Sequence, residues 1–275
     1  MSYVSLMVDV DVDRELGGRV DIAADLADRF HASLIGVAGW APMSVFLAEE
    51  ALINPSTTVP PLQEMKAALE RKGQQFCAAV SRAGREVEWR SGLDFPTEVL
   101  AREARSADLV IIGNERENRG PFRSLDPAGL LLKAGRPVLV VPASASSFSP
   151  KRIGIAWKDT REARRAVRDS LPFLQEADSV TIIQISDTNE ANEQALHNVK
   201  DVTQYLNRHR IETIDERVRV AEISVTHSLL RIAHDENIDL IVAGAYGHSR
   251  LGEWVFGGVT RELLVKSPVC CLFSH

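Results

Sequence analysis

Cysteine is scarce in this 275-residue chain, aromatic side chains make up 6% of it, and no apolar run reaches the length of a membrane span. Of the three cysteines, Cys77 falls on an expected helix, while Cys270 and Cys271 are neighbours on an expected strand and so point to opposite faces. A disulfide framework is excluded, and reduced packing residues in a cytoplasmic protein are expected. No signal peptide is expected ahead of the first strand, and no membrane association. Basic residues are not in excess: the formal net charge is −6, against general binding to nucleic acid, which needs a basic face. Histidine offers no metal site, because His227 and His234 share a helical face with no cysteine or carboxylate at ligand spacing beside them. Arg161, Arg164, Arg165 and Arg168 read as the solvated face of a helix.

What the chain does have is glycine in one telling place. The stretch Gly244-Ala-Tyr-Gly247-His-Ser-Arg-Leu-Gly-Glu-Trp-Val-Phe-Gly257-Gly258-Val-Thr260 follows the apolar run 240–243 and leads into a short helical run, 261–266, that ends before Pro268. A buried strand, a glycine-rich loop and a helix N-terminus in that order favour an anion. Free N–H groups and the positive end of the helix dipole face the loop, and glycine lets a phosphate approach the main chain.

Spacing narrows the choice. A Walker loop needs a lysine after its second glycine, but Gly258 follows Gly257 and Glu253 follows Gly252. The tight G-x-G-x-x-G of dinucleotide folds is missing, and a hydrolase elbow around Ser249 would need glycine where Leu251 stands. The remaining pattern, G-x2-G-x9-G, resembles the adenine-nucleotide loop of the universal stress protein family, in which the last glycine precedes Ser or Thr. The segment Gly154-Ile-Ala-Trp157-Lys-Asp-Thr-Arg-Glu-Ala resembles the family's first strand and the turn into its first helix, and Ser267-Pro268-Val-Cys-Cys-Leu-Phe273 its last strand.

A repeat is visible without the family. Asp108-Leu-Val-Ile-Ile-Gly113 matches Asp239-Leu-Ile-Val-Ala-Gly244, and Pro137-Val-Leu-Val-Val matches Pro268-Val-Cys-Cys-Leu. The offset is 131 each time: 239 minus 108, 244 minus 113, 268 minus 137. Each half alternates strands and helices. In the first, strands are expected at 4–8, 33–37, 86–90, 109–112 and 138–141, with helices at 62–82 and 96–105 and a helical face of Val20, Ala23, Ala24, Ala27 and Phe30. In the second, strands are expected at 153–157, 180–185, 216–221, 240–243 and 269–273. Helices are expected at 189–207 and 226–236, with Ala163, Ala166, Val167, Leu171 and Leu174 marking the first helical face.

This alternation predicts an α/β fold with a parallel sheet, helices on both faces, and ligands outside the carboxyl ends of the strands. The resemblance implies two tandem Rossmann-like domains, 1–143 and 151–275. Each would have a five-stranded, mostly parallel sheet of order 3-2-1-4-5, with the ligand between the first and fourth strands. A small, polar, proline-bounded segment, 142–150, makes the boundary. The two last strands are expected to meet across a pseudo-two-fold axis, giving an intramolecular pseudo-dimer. A homodimer of chains is left open, as are other protein partners. Residues 40–61 form a long irregular connection, read either as a lid or as a surface crossover.

The resemblance also implies ATP or another adenine nucleotide on Gly244, Gly247, Gly257, Gly258 and Thr260, with the base near Ala156, Trp157, Lys158 and Asp159. His248 lies inside the loop, where contact with the nucleotide and support of the loop fit equally. Family members that bind ATP carry an aspartate just after the first strand; here Lys158 takes that place with Asp159 following, and in the first half Asp9 fits better. Gly258 stands where the family has Ser or Thr. The first half lacks the loop: Arg116, Asp126 and Pro127 stand 131 residues before Gly247, Gly257 and Gly258. Asp126-Pro127 reads as a helix cap followed by proline at the first helical position, so that site supplies its own anion. Three functions follow. The first is a stress-response protein regulated by an adenine nucleotide in its second half. The others are an interaction module that binds none, and a slow ATP hydrolase. No catalytic constellation is seen.

Overall fold

The computed structural model describes residues 2–42, 61–82, 84–114, 122–186, 192–221, 223–246 and 258–275. Gly247, His248 and Gly257 of the glycine loop, Arg116 and Arg119, and most of the 40–61 connection lie outside these residues.

The first half runs β1 (Ser5–Asp9), α1 (Gly18–Phe30), β2 (Ser33–Gly39), α2 (Leu62–Val80), β3 (Val87–Gly92), α3 (Pro96–Glu103), β4 (Leu109–Gly113), α4 (Pro127–Lys133) and β5 (Val138–Val141). The second runs β6 (Arg152–Ala156), α5 (Arg161–Asp169), α6 (Leu171–Leu174), β7 (Ser179–Ser186), α7 (Asn192–Arg208), β8 (Ile214–Val220), α8 (Val225–Asp235), β9 (Leu240–Gly244), α9 (Gly258–Lys266) and β10 (Cys270–Ser274). Expected and observed bounds differ by at most three residues, and the strand Val138–Val141 coincides at both ends. The first strand begins at Ser5 because Val4, though apolar, is 69% exposed. The first helical face of the second half is broken in two. Pro172 has no N–H to give to the turn before it, so α5 ends at Asp169 and α6 starts afresh after Ser170.

All ten strands form one sheet of order β3-β2-β1-β4-β5-β10-β9-β6-β7-β8. Each half contributes five parallel strands in the order 3-2-1-4-5. The halves join where β5 and β10 pair antiparallel, with Leu139 opposite Leu272 and Val140 opposite Cys271. The expected meeting of the last strands is thus observed, and it makes one continuous sheet of the two.

Alternation along each strand sends side chains to two cores, one per face, and both cores cross the seam. Leu6, Val8, Ile153, Cys270 and Leu272 lie in one, Met7, Ile241, Cys271 and Phe273 in the other. Cys270 and Cys271 are free thiols on opposite faces, each pushed up to about 12 by burial. Beside the seam, Tyr3 and Phe30 of the first half pack on Phe173 of the second, with Phe148 of the connecting segment against the same ring. The Tyr3 hydroxyl donates to the Asp169 carbonyl at 2.5 Å. No helix among the described residues is long and apolar enough to cross a membrane.

Candidate functional site

Strands β6 and β9 are parallel neighbours, with Ala156 beside Ala243. The connections leaving their carboxyl ends diverge to opposite faces of the sheet. A cleft of about 310 Å³ opens there, at the lower end of the roughly 300–1,000 Å³ that small-ligand sites occupy. Ala156, Ala243 and Gly244 line it from the strand ends, Ile183, Ile185 and Leu229 are among its apolar walls, and Gly258, Val259 and Thr260 bring in the start of α9. The first turn of a nine-residue helix presents backbone N–H groups that no helical carbonyl satisfies.

Gly244 is required by the packing. A Cβ there would lie 2.5 Å from the Ala163 nitrogen and 2.7 Å from the Glu162 carbonyl carbon, both main-chain atoms of α5. Thr160 fixes that helix start by accepting from the Ala163 N–H at 3.2 Å. Trp157 is 7% exposed and lines the cleft, and its buried Nε1 has no hydrogen-bond partner among the described residues. A buried donor left unpaired costs about 1–3 kcal/mol, and the indole packs in the core on the opposite face of the sheet from the cleft walls Ile183, Leu229 and Ala243. Tyr246 closes the end of β9 in a left-handed conformation, φ 60°. Its hydroxyl is pushed up to about 12, first by burial and then by Asp126, against the pull of Arg261.

Of the residues expected at the site, the fold brings together Ala156, Trp157, Lys158, Gly244, Gly258 and Thr260. Asp159 does not line the cleft; its carboxylate accepts from Arg164 Nη2 at 2.8 Å. Tyr246, Thr160 and the apolar walls were not foreseen. Thr160 carried a readable signal, an N-cap residue two positions after Lys158, whereas the walls have the same pattern as any buried strand or helix face. Among the described residues no group of three His, Cys, Asp or Glu side chains could hold a metal.

The same position in the first half is filled. Register corrects two correspondences. Val110 pairs with Val138 and Ile241 with Cys271, so the last strands match at an offset of 133 (271 minus 138), not 131. Leu6 pairs with Leu109 and Ile153 with Leu240, so Asp9 matches Ala156 and Asp11 matches Lys158. The offset of 131 fails for the first strand because the connections after it differ in length, 40–61 in one half against 187–191 in the other. Asp9 instead pairs with Arg19 at 3.3 Å, and the Arg19 guanidinium lies over Gly113, 2.4 Å from where a Cβ would stand. Arg123 pairs with Asp13 at 3.0 Å and stacks 3.8 Å from the Trp40 ring. About 50 Å³ is left between them. Asp126 accepts from the Ala128 N–H at 3.1 Å, with Pro127 at the first position of the seven-residue α4.

Among protein-family models, one described as the universal stress protein family matches residues 150–274. This half is similar to that family. Solved structures extend the likeness in fold to the rest. A universal stress protein from Archaeoglobus fulgidus DSM 4304 is 14% identical, with 98% of this chain and 97% of that one covered at a TM-score of 0.67. A Pseudomonas aeruginosa PAO1 protein of unknown function is 14% identical, with 99% and 92% covered at 0.62. No curated protein matches the chain. The universal stress protein resemblance read from the glycine spacing therefore holds, and the relatives that span both halves carry the same fold from end to end.

Proposed function

We propose that this protein is a universal stress protein that binds an adenine nucleotide as a regulatory ligand in its second half, between β6 and β9, in a stress-response role in the cytoplasm. Residues 1–143 and 151–275 serve as its two domains. The carrying observation is the cleft itself. It combines apolar walls for a flat base with the N-terminus of α9 for phosphate. Three unpaired cysteines agree with a reducing compartment.

The first half is a filled counterpart that takes no nucleotide, so one nucleotide binds per chain. Its carboxylates would repel a phosphate, by roughly 4 kcal/mol for unit charges 4 Å apart at an effective dielectric of 20. Mass spectrometry of ligands released from the native protein, with calorimetric titration of ATP, ADP and AMP, tests this reading. A single site is expected, lost in a folded Gly257→Val variant. Two equivalent sites, or unchanged affinity in that variant, would refute it, and no binding at all would favour an interaction module built on the paired halves. Gly258 has open space around its Cβ position, so Gly258→Ser is accommodated. It should tighten binding by about fivefold through a restored hydroxyl.

A further inference from the structure

The ten-stranded sheet ends in β3 on one side and β8 on the other, and no strand among the described residues pairs with the outer side of either. The two edges carry their charges differently. On β3, Arg90 pairs with Glu88 at 2.6 Å and with Glu103 at 3.1 Å, so its charge is answered within the chain. On β8, alternation puts Asp215, Arg217 and Arg219 on one face. The middle one, Arg217, donates to Glu236 at 2.7 Å, and the Thr181 hydroxyl donates to the same carboxylate at 3.0 Å. Asp215 and Arg219 are exposed and have no ion-pair partner among the described residues; Arg219 donates to the adjacent Val218 carbonyl at 3.0 Å. Four residues of strand hold them about 13 Å apart, so they cannot pair with each other.

The main chain decides how this edge can be extended. The Ala221 N–H donates to the Ser186 carbonyl of β7, and the Thr213 carbonyl accepts from the Val180 N–H of the same strand. Successive residues turn to alternate sides, so Glu216, Val218 and Val220 hold their N–H and C=O groups outward. An antiparallel copy of β8 satisfies them only when even-numbered residues face even-numbered ones. Centring on Arg217 does this, uses the strand from Ile214 to Val220 end to end, and sets Asp215 of each chain opposite Arg219 of the other. Such pairs lie between the hydrogen-bonded ones, with Cα atoms about 4.5 Å apart and side chains at their closest. Centring on Val218 would oppose Arg217 to Arg219, and centring on Glu216 would aim Asp215 at an Arg217 already held by Glu236. Charge on an edge strand usually deters pairing. Here its change of sign along the strand selects one register.

We propose that β8 is a docking edge for a second copy of this chain, which adds its own β8 antiparallel across a two-fold axis at Arg217 and joins two sheets into one. One strand pair buries less than a standard interface, so the association is weak and depends on concentration.

Sedimentation velocity of the full chain over a range of concentrations at low salt tests the proposal, with Asp215→Arg, Arg219→Asp and the double exchange alongside. Both side chains are exposed, so the variants should fold, as circular dichroism will verify. The unaltered chain should dimerise reversibly. Each single reversal sets like charges opposite each other on both sides of the axis and should weaken the dimer about tenfold. The double exchange should restore it, and so should an equimolar mixture of the two single variants, because opposite charges then face each other again. A chain that stays monomeric at about 1 mM overturns the proposal. So does a dimer that the reversals leave unchanged, which another surface must hold, or one that they weaken and the mixture does not restore.

Discussion

Gly113 and Gly244 end matched strands, β4 and β9, and what presses on each differs. Against Gly244 lies the main chain of α5, and the space beyond it stays open. Against Gly113 lies the tip of Arg19, a side chain that occupies the corresponding space and is held there by Asp9. One half uses its glycine to bring a helix start close to the sheet. The other uses the same lack of a side chain to admit a charged group of its own. Identical residues at identical places in the fold therefore say little about binding until their neighbours are known.

The sharpest way to break this comparison is to add one methyl group to each. Gly244→Ala should cost about 3 kcal/mol, because its Cβ meets rigid backbone. Gly113→Ala should cost less than about 1 kcal/mol, because the far end of Arg19 can move. Urea denaturation of the two variants reads the difference directly, and equal losses would show that Arg19 is as immovable as the helix. Next in size is Arg19→Leu. Breaking its partly buried pair leaves Asp9 close to Asp11 and Asp13, at an expected cost of about 2 kcal/mol by the same measurement. A neutral result would mean that the pair does not hold the first half closed.

Smaller effects come from the helix starts. Thr160 caps α5 with its side chain, whereas Gly17 at the start of α1 makes no side-chain cap and has open space around its Cβ position. Thr160→Ala should lower stability by about 1 kcal/mol, and Gly17→Ser should raise it by a few tenths; thermal melts of the two variants should move in opposite directions. The smallest effect concerns Asp169 at the seam. Burial holds its carboxyl above the ordinary range, against the opposing influence of Ser274 and of Arg165, Arg168 and Arg136. The folded state then keeps this proton to higher pH than the unfolded state does. The group's contribution therefore falls as pH rises from the usual carboxylate value through the raised one. Asp169→Asn removes that loss, so melting temperatures of variant and wild type should diverge in the variant's favour across that window. Parallel profiles would show that Asp169 titrates alike in both states.

Much of this was legible because it is local in the chain. The strand, glycine loop and helix start around Gly244 and Gly258 are consecutive, and the offset of 131 tied them to their first-half counterparts. The helix cap at Asp126 followed from two residues in a row. Legibility failed where correspondence depends on pairing between distant strands. Asp9 looked like the acid after the first strand until register with β4 assigned that place to Asp11. Arg19 could not be foreseen as the filler of a cleft, since on a helix its residue type says only that it is soluble. The apolar walls of the open cleft were invisible for a related reason: Ile183, Ile185 and Leu229 have the same pattern whether a neighbouring side chain or a ligand covers them.

The antiparallel pairing of β5 with β10 has a consequence for how such a molecule can change. Where two identical chains meet, every substitution arises twice, and the strength of the meeting falls with dilution. Here the partner is tethered by a nine-residue segment, 142–150, so the seam's contribution is the same at any protein concentration. Each half also mutates alone. Arg19 and Asp126 could arise in one half while Gly258 and Lys158 arose in the other, without either change being copied across the axis. Joining the halves in one chain turns a symmetric pair into an inherited heterodimer, in which one member can close while the other stays open.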